Sequence, residues 1–195
     1  MSTTKQVIVV GSFDDIRSRQ LRFLEEAATG GAVTVLLWTD DQVQRQTGQP
    51  PKFPLAERRY FLEAVRYVTQ VITDATFANP HALPAFPSYR PDLWVDEASP
   101  HNETRRKFCA GRGLEYRVLP AAQLAGFPVP PPMPSAPGRK KVVVTGCYDW
   151  FHSGHVRFTE EVSAYGDLYV ILGHDANIRL LKGEGHPLIG EAERR

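Results

Sequence analysis

Cysteine is scarce in this chain: Cys109 and Cys147 are the only two among 195 residues. Two thiols in unrelated contexts can build neither a disulfide framework nor a structural zinc site, and a reducing cytoplasm fits that usage. Long apolar runs are missing as well. None approaches the roughly 18 residues a membrane-spanning helix needs, which argues against membrane insertion. The stretch Met1-Ser2-Thr3-Thr4-Lys5 has neither the apolar core nor the small-residue cleavage site of a secretion signal. Charge of one sign is also absent. Lys and Arg number 23 against 22 Asp and Glu, so the net charge of +1 gives no electrostatic reason to propose nucleic acid as a partner. What remains is a cytoplasmic globular protein, with enough chain for one large domain or one domain and part of another.

What is there alternates between apolar runs and amphipathic stretches. Gln6 to Val10 reads as a buried strand, and the spacing from Ile16 to Ala28 predicts a helix closed by Gly30-Gly31. Val33 to Trp38 is a second strand, followed by a polar stretch and the breaker Gly48-Gln49-Pro50-Pro51. A helix is expected from about Leu55 to Tyr67 and a third strand from Val68 to Thr73. Four prolines make Asn79 to Pro91 a loop. Leu93 to Val95 and Tyr116 to Leu119 are further short strands on either side of a helix from Asn102 to Ala110. Strands alternating with helices, without hairpin signals, imply an α/β fold with a doubly wound, Rossmann-like parallel sheet. Residues 1–122 form this first domain.

From Gly126 to Gly138 the composition shifts to proline, with Pro128, Pro130, Pro131, Pro132, Pro134 and Pro137. Residues 123–139 therefore read as a stiff linker, with a ligand for a proline-recognising domain as the alternative. Beyond it the pattern begins again. Placing Gly11 on Gly146 also places Asp14 on Asp149, Ser18 on Ser153, Arg22-Phe23 on Arg157-Phe158, Gly31 on Gly166 and Asp40 on Asp175. After a one-residue slip, Ala56 to Arg59 falls on Ala192 to Arg195. The expectation is a tandem repeat whose second copy, 140–195, is incomplete, since it stops where the first copy begins the helix before its third strand. The copies differ at chemically telling positions. His152, Gly154, His155 and Lys182 face Arg17, Arg19, Gln20 and Thr47.

His152-Ser153-Gly154-His155 follows an apolar strand and a glycine turn, at the start of an amphipathic stretch. A helix start offers free N–H groups and a positive dipole end to an anion, so a phosphate group is the expected guest. The bland alternative is an exposed pair of histidines. For Asp149 it is a turn-stabilising carboxylate, and for Glu193 and Arg194 a solvated helix face.

The stretch Gly146-Cys147-Tyr148-Asp149-Trp150-Phe151-His152-Ser153-Gly154-His155 resembles the signature of the cytidylyltransferase-like nucleotidyltransferases. That group includes the glycerol-3-phosphate and ethanolamine-phosphate cytidylyltransferases. Asp175, Lys182-Gly183 and Glu193-Arg194 are similar to its later motifs, while its second signature, Arg-Thr-x-Gly-x-Ser-Thr, occurs in neither copy. The resemblance implies that a phosphorylated small molecule attacks the α-phosphorus of CTP, or of ATP in an alternative reading, and releases pyrophosphate. It implies catalytic roles for His152, His155 and Lys182, all acting on phosphate charge. Gly146, Cys147, Tyr148, Asp149, Gly154, Asp175 and Arg194 would bind the nucleotide. Asp149 and Asp175 would orient a His, a ribose or Mg²⁺, and Mg²⁺ is expected with the triphosphate. The first copy would be non-catalytic. A regulatory nucleotide-binding module, or an assembly domain that pairs as a homodimer, are the competing classes.

Overall fold

Strand β1 (Gln6–Gly11) lies at the centre of a parallel sheet, and its sequence explains why. Val7, Ile8 and Val9 are all fully buried, because both faces of the strand are covered. Val7 and Val9 face one core with Phe23, Leu24, Leu62 and Leu119. Ile8 faces a second core with Leu36, Trp94 and Cys109. The computed structural model describes residues 4–76, 79–86, 89–128 and 138–195. The chain divides into two compact units, Met1–Pro128 and Val129–Arg195.

In the first unit β1 is followed by α1 (Ser18–Ala28), β2 (Ala32–Leu37), α2 (Asp40–Thr47), α3 (Leu55–Glu63), β3 (Gln70–Ile72), β4 (Leu93–Glu97), α4 (Asn102–Ala110) and β5 (Glu115–Leu119). The five strands are parallel in the order β3-β2-β1-β4-β5, a doubly wound α/β sheet. Helix α1 buries Phe23, Leu24 and Ala27, spaced for one helical face. Tertiary burial also reaches past the residues assigned to the first domain. Leu124 is buried in the same core as Val7, and Gln123 Nε2 donates to Glu26 Oε2 at 2.8 Å.

Three local expectations differ from the structure. The polar stretch after the second strand is helix α2. Only Gln42 and Val43 of it are buried, so no apolar period marks it. Its signals are the ends: Thr39 accepts from Gln42 N, Asp40 and Asp41 fill the first turn, and Gly48 closes it in the left-handed conformation. Helix α3 stops at Glu63 rather than Tyr67, because Val65 and Val68 reach the core from turns. Strand β3 is correspondingly short. Of the proline-rich stretch, residues 129–137 lie outside the described residues.

The second unit contains β6 (Lys141–Gly146), α5 (Ser153–Ser163), β7 (Asp167–Leu172), α6 (Asp175–Lys182) and α7 (Glu191–Arg194). Strands β6 and β7 pair in parallel from Lys141↔Asp167 to Gly146↔Leu172. In the first unit β1 and β2 pair from Gln6↔Ala32 to Gly11↔Leu37, at the corresponding residues. Val144, Tyr148, Val156 and Ile178 form the buried apolar set of this unit. Val143, Val170 and Ile171 are exposed, whereas Ile8, Val35 and Leu36 at the matching places are buried. The reason is topological: among the described residues no strand flanks β6 or β7, so their outer faces lack the layers that cover β1 and β2.

Candidate functional site

The C-terminal ends of β6 and β7 carry the residues that the sequence singles out, at the edge where open parallel sheets present ligands. Gly146 ends β6, and Cys147 and Tyr148 turn the chain toward α5. Tyr148 adopts a left-handed backbone conformation with φ of 48°. Phe13, at the matching place in the first unit, has φ of 44°, so this unusual turn belongs to the fold and not to the imidazoles. The Tyr148 ring is buried and meets the His155 ring edge-on at a centroid distance of 5.2 Å. Phe151 stacks on the same imidazole at 5.3 Å, and the His152 ring lies 4.1 Å from it.

His152 is the N-cap of α5. Its Nδ1 accepts from Gly154 N at 3.1 Å, while His155 Nδ1 accepts from His152 N at 3.4 Å. An imidazole nitrogen that accepts a hydrogen bond carries no proton, so neutral His152 and His155 hold theirs on Nε2. The two rings therefore form a pair of Nε2–H donors, fixed by the backbone of one helical turn. Burial, and the neighbouring His152, push the His155 pKa below its ordinary value of 6.5 and favour that neutral form. The H-x-G-H spacing acquires a steric reason here. A Cβ on Gly154 would stand 2.9 Å from His152 Cε1, so the capping ring needs glycine beneath it. In the first unit half of this cap is repeated, with Gln20 Oε1 accepting from Arg17 N at 3.0 Å; the Arg17 guanidinium, a donor only, cannot return the bond, and Arg19 takes the glycine position.

Asp149 is buried. Its Oδ1 accepts from Ile189 N at 3.0 Å, Leu188 N also donates to the carboxylate, and Oδ2 lies 2.9 Å from His186 Nδ1. Burial raises its pKa, but the bonds from His186 and the two backbone groups outweigh that and hold the carboxyl below its ordinary range. Asp175, in the first turn of α6, accepts from Arg194 Nη2 at 2.6 Å and from Glu191 N at 3.2 Å. These contacts lower its pKa. Arg194 is almost wholly buried. Its Nε donates to Ile189 O at 2.8 Å, and its terminal nitrogens reach Cys147 O and Gly173 O as well as Asp175. The guanidinium is thus engaged inside the fold. Lys182 is the last residue of α6, and it is exposed. The structure brings Tyr148, His152 and His155 into one cluster and Cys147, Asp175 and Arg194 into another.

Two further histidines share this edge and escaped the sequence reading. His174 caps α6, its Nδ1 accepting from Ala176 N at 3.2 Å, and His186 faces Asp149. Alignment of the two units held the signal, because Thr39 and Pro50 stand at the corresponding places in the first unit. Four of the six histidines of the chain thus occupy the second unit, at positions where the first unit has Arg17, Gln20, Thr39 and Pro50.

A parallel strand pair with an imidazole-capped helix at the carboxyl end of its first strand places the second unit in the Rossmann-like α/β class. Comparison with known proteins narrows the class. The chain is 50% identical over 60 residues to bifunctional protein HldE of Geobacter metallireducens, and 48% identical over 60 residues to that of Geobacter sulfurreducens. It is 36% identical over 87 residues to bifunctional protein HldE of Campylobacter curvus. These matches cover 30%, 30% and 44% of this chain, and only 12%, 12% and 17% of the relatives' own lengths. Over the matched residues this likeness agrees with the resemblance to the cytidylyltransferase-like nucleotidyltransferases. No family model matches it. The crystal structure of the lipopolysaccharide core biosynthesis protein from Thermoplasma volcanium GSS1 aligns with 60% of this chain and 96% of its own. Its TM-score of 0.45 and 16% identity are too low to add to the argument.

Proposed function

We propose that the second unit holds the triphosphate-binding side of a nucleotidyltransferase site. The observation that carries this reading is the pair of Nε2–H donors on His152 and His155, oriented by backbone hydrogen bonds at the start of α5. In the reaction a phosphate-monoester oxygen attacks the α-phosphorus of a nucleoside triphosphate. One P–O bond forms to the acceptor, the bond to the bridging oxygen breaks, and pyrophosphate leaves with the electron pair. A phosphate dianion is already nucleophilic, so catalysis is positioning and charge stabilisation, with no covalent enzyme intermediate. His152 and His155 donate to phosphate oxygens. Lys182, exposed at the end of α6, supplies a mobile charge to the same group. Arg194 acts indirectly, by fixing the Cys147 turn and the start of α6. The first unit, residues 1–122 with Arg17 and Gln20 in place of the imidazoles, is a non-catalytic repeat of the same fold joined through residues 123–139.

CTP is the donor that the family resemblance implies, and ATP is the alternative. Mg²⁺ enters as part of the metal–triphosphate substrate. The carboxylates of Asp149 and Asp175 are already engaged with protein donors, and among the described residues no group of three His, Cys, Asp or Glu can hold an ion. These residues do not fit a resident metal, and no step is routed through one. No helix among the described residues is long and apolar enough to cross a membrane.

The test is calorimetric titration of the chain with Mg–CTP and Mg–ATP, followed by pyrophosphate release with a panel of phosphate monoesters. Binding of one triphosphate that is lost in His155→Ala supports the reading. Equal binding by wild type and His155→Ala refutes it.

A further inference from the structure

We infer that His186 is a third phosphate-contacting side chain of the second-unit site, presented to the ligand by Asp149. The inference rests on the triphosphate reading of that site and starts from a comparison within the chain. Asp14 ties down the loop before α3 through backbone groups, with Lys52 N at 2.8 Å and Phe53 N at 3.0 Å. Asp149 does the same for the loop before α7 through Leu188 N and Ile189 N. That clip is the structural task of the carboxylate, and the first unit performs it with Pro50 where the second has His186. The contact from His186 Nδ1 to Asp149 Oδ2, 2.9 Å long, is therefore an addition that the fold does not require.

Chemistry gives the addition a direction. An ionised, buried carboxylate only accepts, so the His186 Nδ1 carries a proton toward Asp149, and Nε2 is the nitrogen left to a ligand. The His186 side chain is 38% exposed, whereas that of Asp149 is 6% exposed, so the ring lies between a fixed anion and solvent. This is the opposite tautomer from His152 and His155. A phosphate oxygen at neutral pH accepts, so on binding phosphate the His186 ring takes up a proton at Nε2 and becomes an imidazolium. Asp149 opposite stabilises that cation. The same Asp149 sits on the β6–α5 turn, three residues before His152. The carboxylate therefore ties the 183–190 loop to the turn that carries the imidazole pair.

The experiment uses the full chain and inorganic tripolyphosphate as the probe. Imidazole ¹⁵N spectra of the wild type are expected to show His186 Nδ1-protonated before addition and protonated on both nitrogens after it. His152 and His155 shift at Nε2, while His81 and His101 in the first unit do not move. A shift at His152 and His155 with His186 unmoved overturns the inference and leaves the triphosphate site standing. No shift at any of the three overturns both. His186→Asn keeps a donor for Asp149 but has no second ring nitrogen, and it is expected to weaken tripolyphosphate binding about ten-fold. Unchanged affinity in that variant also overturns the inference, and the wild-type spectra decide the case if the variant does not fold.

Discussion

Arg194 donates from Nη2 to Asp175 Oδ1 at 2.6 Å, and through the same guanidinium it holds the carbonyls of Cys147, Gly173 and Ile189. Arg58 makes the matching set in the first unit: Asp40 Oδ1 at 2.6 Å, with the carbonyls of Ser12, Trp38 and Phe53. Both arginines are buried, and each closes the ends of two parallel strands and two helix starts with one planar group. A site built on either turn inherits its geometry from that clamp.

Removing the clamp leaves buried carbonyls without donors. Arg194→Ala is expected to cost about 2–4 kcal/mol, the scale of several lost charge-assisted bonds, and Arg194→Lys to recover little because one ammonium cannot span three carbonyls. Urea unfolding followed by fluorescence of Trp150, the only tryptophan of the second unit, measures this. A midpoint within error of wild type would show that the guanidinium is not structural.

Gly154→Ala separates site geometry from stability. The added methyl would stand 2.9 Å from the His152 ring, and the ring is free to rotate away. The fold should therefore tolerate the change while the imidazole pair loses its alignment. The expected result is a melting temperature close to wild type with triphosphate affinity reduced about ten-fold, the worth of a charge-assisted bond. A large fall in stability with full affinity would contradict this.

Protonation gives a pH profile with a definite sign. His155 has its pKa depressed below 6.5 in the fold, so the unfolded chain binds more protons just below that value. Stability is then fully present above pH 6.5 and declines as pH falls through the lowered pKa. Asp149 and Asp175 also have depressed pKa values and add a second, steeper loss below their ordinary value of 3.8. Urea midpoints measured from pH 7 to pH 3 should fall in these two stages. His155→Asn should reduce the upper stage, to which His81 also contributes, and Asp149→Asn the lower, which it shares with Asp15, Asp175 and Glu115. A profile that rises on acidification would reverse the assignment.

Much of the fold was legible because burial on both faces of a parallel sheet leaves unbroken apolar runs such as Val7-Ile8-Val9. Helix α2 was not, since it is held by its caps and buries little. The H-x-G-H turn could be read because its chemistry is local, four residues that cap one another. The role of Arg194 could not. Its partners Cys147 and Gly173 are backbone carbonyls distant in sequence, and a carbonyl leaves no mark on residue identity. His186 was missed for a similar reason: its partner Asp149 is 37 residues away, and only comparison with Pro50 marks it.

The two units supply their own control for catalysis. His152 and His155 cap α5 reciprocally through imidazole nitrogens, whereas in α1 Gln20 Oε1 accepts from Arg17 N at 3.0 Å and the Arg17 guanidinium, a donor only, returns no bond. Arg17 is also paired with Asp15 at 3.0 Å, and Arg19 with Glu97 at 2.6 Å, so the cations at that helix start already have counter-ions. The bond to the N-cap N–H from a side chain three residues on is therefore common to both units, and in the proposed function donation to phosphate falls to the second. In a turnover assay with the preferred triphosphate and acceptor, His155→Ala is expected to lower kcat by roughly 10²–10³, the cost of one oxyanion-type donor. Arg17→Ala and Gln20→Ala should leave kcat within about two-fold, since surface changes of this kind alter little beyond local stability. A comparable loss in Arg17→Ala would move catalysis to the first unit, and an unchanged kcat in His155→Ala would remove the imidazole pair from the mechanism.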